Sequence, residues 1–259
     1  MSNVRAKKHL GQHFLNDKNA ALKIVEALNP SLGFTQVLEV GPGMGVLSDF
    51  LLTKTEYETW LIDVDEESVD FLRDKYADLG QRLIHGDFLT LDFSKYFDEK
   101  IAIIGNFPYN ISSQILFKIL DERDRVIQMT GMFQKEVAER CTAKAGTKAY
   151  GILSVFLQAY YDVEYLFTVK AGAFSPPPKV LSGVMRMTRN TQKSLNCDEK
   201  LFWRVVKAGF NQRRKTLRNA LSAVIPREKM SDNSLYELRA ERLTVQDFEL
   251  LTREIAESL

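Results

Sequence analysis

Asn106-Phe107-Pro108-Tyr109 is the stretch whose residue types best suit chemistry. An asparagine oxygen and a nearby main-chain carbonyl both accept hydrogen bonds, so together they can hold the two hydrogens of an amino group on a flat ring. Tyrosine can stack on such a ring. Phe107 precedes proline and is pushed toward an extended conformation. Before it lies the apolar run 101–104, short, Ile-rich and ended by Gly105, which reads as a buried strand. The tetrapeptide therefore leaves a strand as a stiff loop and leads into a helix beginning near Ile111, with Ser112 or Ser113 as its cap.

Three further candidates share this position at the end of a strand. The run 36–40 reads as a buried strand, and Gly41-Pro42-Gly43-Met44-Gly45 follows it, ahead of an apolar helix over 46–52. Glycines between a strand and a helix let a ligand approach the main chain closely. The spacing G-x-G-x-G differs from the G-x-G-x-x-G of dinucleotide folds. A second strand, 59–62, ends in Asp63, 22 residues after Gly41, where an acid is placed to bond ribose hydroxyls. The alternative for Asp63 is to cap the helix beginning near Glu66. A third strand, 82–85, is followed by Gly86-Asp87-Phe88, with Asp87 placed to accept from an adenine amino group. Taken alone, Asp87 reads as a cap or turn residue; its place at the end of the third successive strand raises the ligand reading. Ligands of open α/β sheets bind outside the carboxyl ends of the strands, which is the edge these residues share.

The elements around them follow from patterning. Asn16 or Asp17 caps a helix running to about Leu28, and His13 just before it suits either a ligand contact or a structural role. After the tetrapeptide come an amphipathic helix over 113–120, a strand over 125–133, a helix over 134–140 and a basic, glycine-bearing loop over 143–151. This loop either closes over a substrate or is simply solvated. A buried helix over 152–159 and strands over 160–169 and 180–187 complete a seven-strand pattern. Between the last two, Phe174-Ser175-Pro176-Pro177-Pro178-Lys179-Val180 forms a stiff extended loop. Phe174 either stacks on the free face of a ring held by Tyr109 or sits in the core.

A polar stretch over 188–196 marks a linker to a small helical part. Arg204, Lys207, Arg213, Arg214, Lys215 and Arg218 fall in a region, 201–223, that contains no acidic residue. Phe202, Trp203 and Phe210 interleave with them; a charge run can be a plain solvated face, but six cations without a carboxylate in a chain of net charge +1 suit phosphate contact. Residues 228–259 balance their charges and read as helical packing.

Composition bounds the rest. The chain has 259 residues, 45% of them hydrophobic, enough for a sizeable core and for one large domain with a smaller one. The net charge of +1 announces no nucleic-acid partner globally, so local clustering carries that argument. Cys141 and Cys197 lack a C-x-x-C pattern and read as free thiols; no metal site is expected. No stretch approaches a membrane span, and the basic start lacks a following apolar segment, so a soluble cytoplasmic protein without a membrane partner is expected.

The tetrapeptide resembles the [DNS]-[IVLF]-P-[PFYW] motif of amino-methyltransferases. With the segments 10–16 (Leu-Gly-Gln-His-Phe-Leu-Asn), 39–43 (Glu-Val-Gly-Pro-Gly), Gly86-Asp87, 106–112 (Asn-Phe-Pro-Tyr-Asn-Ile-Ser), 134–137 (Gln-Lys-Glu-Val), 148–151 (Lys-Ala-Tyr-Gly), 174–180 (Phe-Ser-Pro-Pro-Pro-Lys-Val) and 210–219 (Phe-Asn-Gln-Arg-Arg-Lys-Thr-Leu-Arg-Asn), nearly the whole chain resembles the ribosomal RNA adenine N6-dimethyltransferases of bacterial KsgA type. The resemblance implies an α/β fold: a Rossmann-like seven-stranded methyltransferase sheet over residues 1–190 and a small all-helical C-terminal domain over 191–259 that binds RNA. It implies S-adenosylmethionine as cofactor, held by His13, Leu15, Gly41, Asp63, Asp87 and Asn106. Asn106, Pro108 and Tyr109 would be catalytic, and Phe174, Arg213, Arg214, Lys215 and Arg218 would contact substrate. The implied target is two adjacent adenines near the 3′ end of 16S rRNA in an assembling 30S subunit, modified by a monomer. Phe107 stands where Leu is usual and Asp63 where Glu is common. The competing readings are a large-subunit rRNA methylase of the antibiotic-resistance type, a DNA adenine methylase, a non-catalytic assembly or transcription factor, and an NAD-dependent dehydrogenase. The Pro-Pro-Pro-Lys and Asn-Gln-Arg-Arg-Lys stretches count against the first, the lack of a visible target-recognition domain against the second, the intact tetrapeptide against the third, and glycine spacing against the last.

Overall fold

In the computed structural model, which describes residues 4–192 and 194–259, the buried apolar runs become strands whose order explains where a ligand can sit. In chain order the main elements are β1 (Phe14–Leu15), α1 (Lys18–Glu26), β2 (Gln36–Val40), α2 (Ser48–Leu51), β3 (Glu58–Asp63), α3 (Glu66–Lys75), β4 (Leu83–His85), β5 (Ile101–Asn106), α4 (Ser112–Asp121), β6 (Val126–Gln134), α5 (Lys135–Thr142), α6 (Ile152–Gln158), β7 (Tyr161–Val169), β8 (Phe174–Ser175), β9 (Ser182–Arg189), α7 (Glu199–Asn211), α8 (Leu217–Ala220) and α9 (Val245–Ser258). Seven strands form one sheet in the order β4-β3-β2-β5-β6-β9-β7, and β1 pairs with β8 in a separate two-stranded sheet. Strands β2, β3, β4, β5 and β6 pair in parallel, and β9 runs antiparallel to β6. The α/β class and the seven-stranded sheet expected from the sequence are both present.

From β2 the chain moves outward to β3 and β4, then returns to place β5 on the other side of β2. The order reverses between β2 and β5, so a crevice opens beyond their carboxyl ends, at Gly41 and Asn106. Continuous burial of Ile101, Ala102, Ile103 and Ile104 fits a central parallel strand covered on both faces.

Two glycines shape the end of β5. Gly105 pairs with Gly131 on β6, and without side chains there the Phe107 ring lies down over both strands, stacked on Phe133 at 4.8 Å. A Cβ at Gly131 would overlap the Phe107 ring and come 2.7 Å from the Gly105 carbonyl oxygen. Gly131→Ala is therefore expected to cost about 1–3 kcal/mol, as overpacking does, and to displace Phe107 and the loop after it. Thermal melts beside activity assays check this; an unchanged melting temperature would show that the ring relaxes freely.

The described chain divides into two compact units, 1–138 with 164–189, and 139–163 with 190–259. The second takes in α6 as well as the C-terminal helices, because the chemistry of the segment ties it there. Phe156 stacks on Trp203 at 3.9 Å, and the Tyr160 hydroxyl donates to Glu199 at 2.6 Å. The polar stretch before α7 is not a free tether: buried Glu249 accepts from the Gln192 side chain at 2.7 Å and from the Asn196 main chain at 3.2 Å. Asp198 caps α7, and Thr244 with Asp247 forms a reciprocal cap on α9. Arg213, Arg214 and Lys215 lie in the turn after α7 rather than on a helix. Among the described residues no helix is long and apolar enough to cross a membrane.

Candidate active site

A cavity of about 240 Å³ lies at the crevice in the first unit. Its walls come from the N-terminal strap (His9 to Phe14), the turn after β2 (Gly41, Gly43), the ends of β3 and β4 (Asp63, Asp87) and the segment Asn106 to Ile111. Of the residues singled out from sequence, it brings together His13, Gly41, Asp63, Asp87, Asn106, Pro108 and Tyr109.

Each is held by local structure. Gly41 has φ +67°, which favours glycine, and a Cβ there would meet nothing within 4 Å, so open space adjoins the main chain. Gly43 and Gly45 also have positive φ. The turn is braced from outside: Tyr76 donates to the Gly45 carbonyl at 3.1 Å and Lys75 to that of Met44 at 3.1 Å. Nothing local in the sequence marks these two residues for that task. Beneath the turn, Ser48 donates to Glu39 at 2.6 Å; burial pushes the Glu39 carboxyl up to about 8, so it is largely neutral at pH 7.

Asp63 is only 6% exposed. Its oxygens accept from the main-chain N–H of Gly43 at 3.2 Å and of Asp65 at 2.9 Å. Burial raises its pKa, and these N–H donors oppose the rise without cancelling it. The helix cap is instead Asp65, which accepts from Glu67 N. Asp87 caps the short turn that follows it and also faces the cavity. One oxygen accepts from Leu89 N at 2.9 Å, and the residue lines the cavity.

Asn106 donates its Nδ2 to the His13 carbonyl at 2.8 Å. The Tyr109 hydroxyl is bonded to Ser182 at 2.5 Å, and burial raises its pKa. The His13 ring stacks beside Tyr109, centroids 5.6 Å apart. Ser112 does not cap α4. It lies inside the helix and donates back to the carbonyl of Tyr109 at 3.0 Å and, more weakly, to that of Pro108 at 3.4 Å.

Two predicted residues are taken away from the cavity. Leu15 (3% exposed) and Phe174 (4%) pair across β1 and β8 and pack in the hydrophobic core. Of the two places open to Phe174, it takes the core, and the ring beside Tyr109 is that of His13. The four basic residues belong to the second unit, and two are engaged there. Arg213 donates to the carbonyls of Lys148 and Tyr150, and so pins the basic loop. Arg218 pairs with Glu237 at 2.6 Å and lies over the Tyr236 ring. Arg214 and Lys215 are exposed; the Lys215 main chain donates to Gln212 at 2.8 Å, and neither side chain makes a hydrogen bond or ion pair among the described residues.

The fold is that of the Rossmann-like methyltransferases, with the crevice at its usual place beyond the carboxyl ends of the strands. A dimethyladenosine transferase from Plasmodium falciparum has this fold, with TM-score 0.80 at 24% identity, covering 95% of this chain and 98% of that one. So does a 23S rRNA methyltransferase, ErmE, with TM-score 0.69 at 24% identity, covering 92% and 99%. The family model for ribosomal RNA adenine dimethylases matches residues 3–257. The chain belongs to the ribosomal RNA adenine dimethylase family. Among its relatives, the ribosomal RNA small subunit methyltransferase A of Cytophaga hutchinsonii is 55% identical, over 97% of this chain and 98% of its own. That of Flavobacterium johnsoniae is 52% identical, over 98% and 97%.

Proposed function

We propose that this enzyme transfers methyl groups from S-adenosylmethionine to N6 of two adjacent adenines near the 3′ end of 16S rRNA, in the small ribosomal subunit, as a cytoplasmic monomer serving subunit biogenesis. The observation that carries this reading is the convergence of Gly41, Asp63 and Asp87 with Asn106, Pro108 and Tyr109 on one cavity.

The donor set fits the cofactor. Open space at Gly41 admits a ligand against the main chain, Asp63 keeps lone pairs for a ribose diol, and Asp87 keeps an oxygen for an adenine amine. When bound, the cofactor supplies a methyl group activated on a sulfonium. The residues of this chain do the rest. The adenine N6 lone pair is delocalised into its ring and is a poor nucleophile. Asn106 Oδ1 and the Pro108 carbonyl accept its two hydrogens, which favours a pyramidal nitrogen with its lone pair directed outward. Tyr109, fixed by Ser182, holds the ring by stacking, worth about 1–3 kcal/mol per base. Positioning for in-line attack carries much of the rate. The target base must leave its stack to reach the cavity.

Arg214 and Lys215 contact RNA phosphates in this reading. Replacing each by alanine is expected to lower small-subunit affinity and to reduce the slope of log affinity against log salt by about 1 per residue. Arg218→Ala should instead lower the melting temperature, since it removes the pair with Glu237. Salt titrations and melts separate the two effects; an unchanged slope for Arg214 and Lys215 would remove them from the interface.

Labelled methyl transfer to small subunits, large subunits and naked rRNA tests the substrate. Label confined to the small-subunit arm supports the reading. Label in large-subunit RNA would replace it, and no label in any arm would refute it.

A further inference from the structure

An asparagine amide has two faces, an acceptor oxygen and a donor NH2, related by a half-turn of the group. The reaction proposed above needs the oxygen toward the target. Asn106 lies 2.8 Å from the main-chain oxygen of His13. A carbonyl can only accept, so the amide must present its NH2 there, and Oδ1 is left on the other side. That oxygen has no partner among the described residues, in a side chain that lines the cavity.

We infer that the main-chain carbonyl of His13 is a positioning group that turns the Asn106 oxygen toward the target amine, and that Lys7, Gln12 and Asp65 form the latch holding the strap that carries this carbonyl. The inference rests on the proposed reaction.

The strap is tied on both sides of His13. Toward the N-terminus, Lys7 Nζ lies 2.5 Å from Asp65 Oδ1, and Gln12 donates to Asp65 Oδ2 at 3.1 Å. Gln12 also accepts from the Lys7 main chain at 2.8 Å, which closes the loop on itself. The Asp65 side chain is 1% exposed, and it is anchored by α3, which it caps. Toward the C-terminus, β1 pairs with β8, and Asn16 N donates to the Ala173 carbonyl at 2.7 Å. His13 itself donates its Nδ1 hydrogen to the Pro176 carbonyl at 2.7 Å, which also fixes its tautomer. Between these ties its carbonyl is fixed in place.

The arrangement makes asparagine the required choice. An aspartate at this position would set a carboxylate oxygen against the His13 carbonyl, two acceptors face to face, unless the carboxyl held a proton. Its proton affinity would be raised by this contact, and the other titratable groups lining the cavity are His9, His13, Asp63, Asp87 and Tyr109. These are common to the wild type and cancel in a comparison.

The test is Asn106→Asp against the wild type across pH, with the ligand-free melting temperature and the affinity for S-adenosylhomocysteine read beside methyl transfer. A carboxyl whose folded pKa is raised is fully tolerated below the unfolded value of about 4, and its penalty grows as pH rises through the folded value. The expected result is therefore a melting temperature several degrees below the wild type at about pH 8, with a gap that closes toward about pH 4. S-adenosylhomocysteine affinity follows the same course, because the strap walls the cavity. A gap and affinity independent of pH, or full activity of Asn106→Asp at about pH 8, would overturn the inference.

The second variant, Lys7→Met with Gln12→Ala, leaves Asn106 untouched. It should lower kcat by about tenfold with the KM for RNA unchanged, and abolish the pH dependence of the gap when combined with Asn106→Asp. Wild-type kcat in this variant would remove the latch from the account. Failure of the proposed reaction has a different signature: the wild type itself would transfer no methyl, while the ligand-free melting gap would still respond to pH.

Discussion

Asn106→Ala is expected to lower methyl transfer by about a hundred- to a thousandfold, the scale on which loss of one preorganised hydrogen-bonding group acts. The expectation rests on geometry. Asn106 ends β5, beside the point where strand order reverses, and its Nδ2 is committed to the His13 carbonyl. Truncation removes the oxygen proposed to accept from N6 and leaves the proposed RNA contacts of the other unit untouched. The His13 carbonyl loses its donor, so S-adenosylhomocysteine affinity should fall only severalfold. Turnover, calorimetry and small-subunit binding measured on one preparation test this. Loss of subunit binding together with turnover would contradict a role confined to the reacting amine.

Asp63→Ala should act on binding instead. Two N–H groups, of Gly43 and Asp65, depend on this 6%-exposed carboxylate, and each buried donor left alone costs about 1–3 kcal/mol. The glycine turn would loosen along with loss of the proposed ribose acceptor, so cofactor affinity is expected to drop by about a hundredfold, with a melting temperature lower by several degrees. The sign of the pH effect follows from the raised Asp63 pKa. For the wild type, affinity should begin to fall, as pH is lowered, above the ordinary carboxylate value of about 3.9, because a protonated Asp63 loses acceptor capacity. Calorimetry over pH with both proteins checks it; a wild-type profile that stays flat down to that value would remove Asp63 from the contact.

Much of this was legible in the sequence, for a physical reason. Strands of a covered parallel sheet are rich in continuous apolar runs, so β5 stands out, and the carboxyl ends of β2, β3, β4 and β5 place Gly41, Asp63, Asp87 and Asn106 along one edge. What escaped depends on non-local pairing. Gly131 looks like any glycine until register sets it opposite Gly105 beneath Phe107. Leu15, a cofactor contact by resemblance, and Phe174, open between a substrate ring and the core, are settled as core side chains only when β1 and β8 pair. Arg213 and Arg218 read as part of a phosphate-binding run, yet main-chain carbonyls and Glu237 engage them, which only the folded second unit reveals. Main-chain groups carry no residue identity at all, so the His13 carbonyl and the bracing of Met44 and Gly45 by Lys75 and Tyr76 leave no local signature.

The most direct test of the central claim is the identity of the product. Small subunits lacking the modification would be incubated with S-adenosylmethionine and either wild type or Asn106→Ala, then digested to nucleosides and read by mass spectrometry. The account predicts N6,N6-dimethyladenosine from the wild type, with the N6-monomethyl form as its precursor, and about a hundred- to a thousandfold slower formation of both by Asn106→Ala. Methyl groups on a ring nitrogen or a ribose oxygen, or N6 products undiminished in Asn106→Ala, would contradict it.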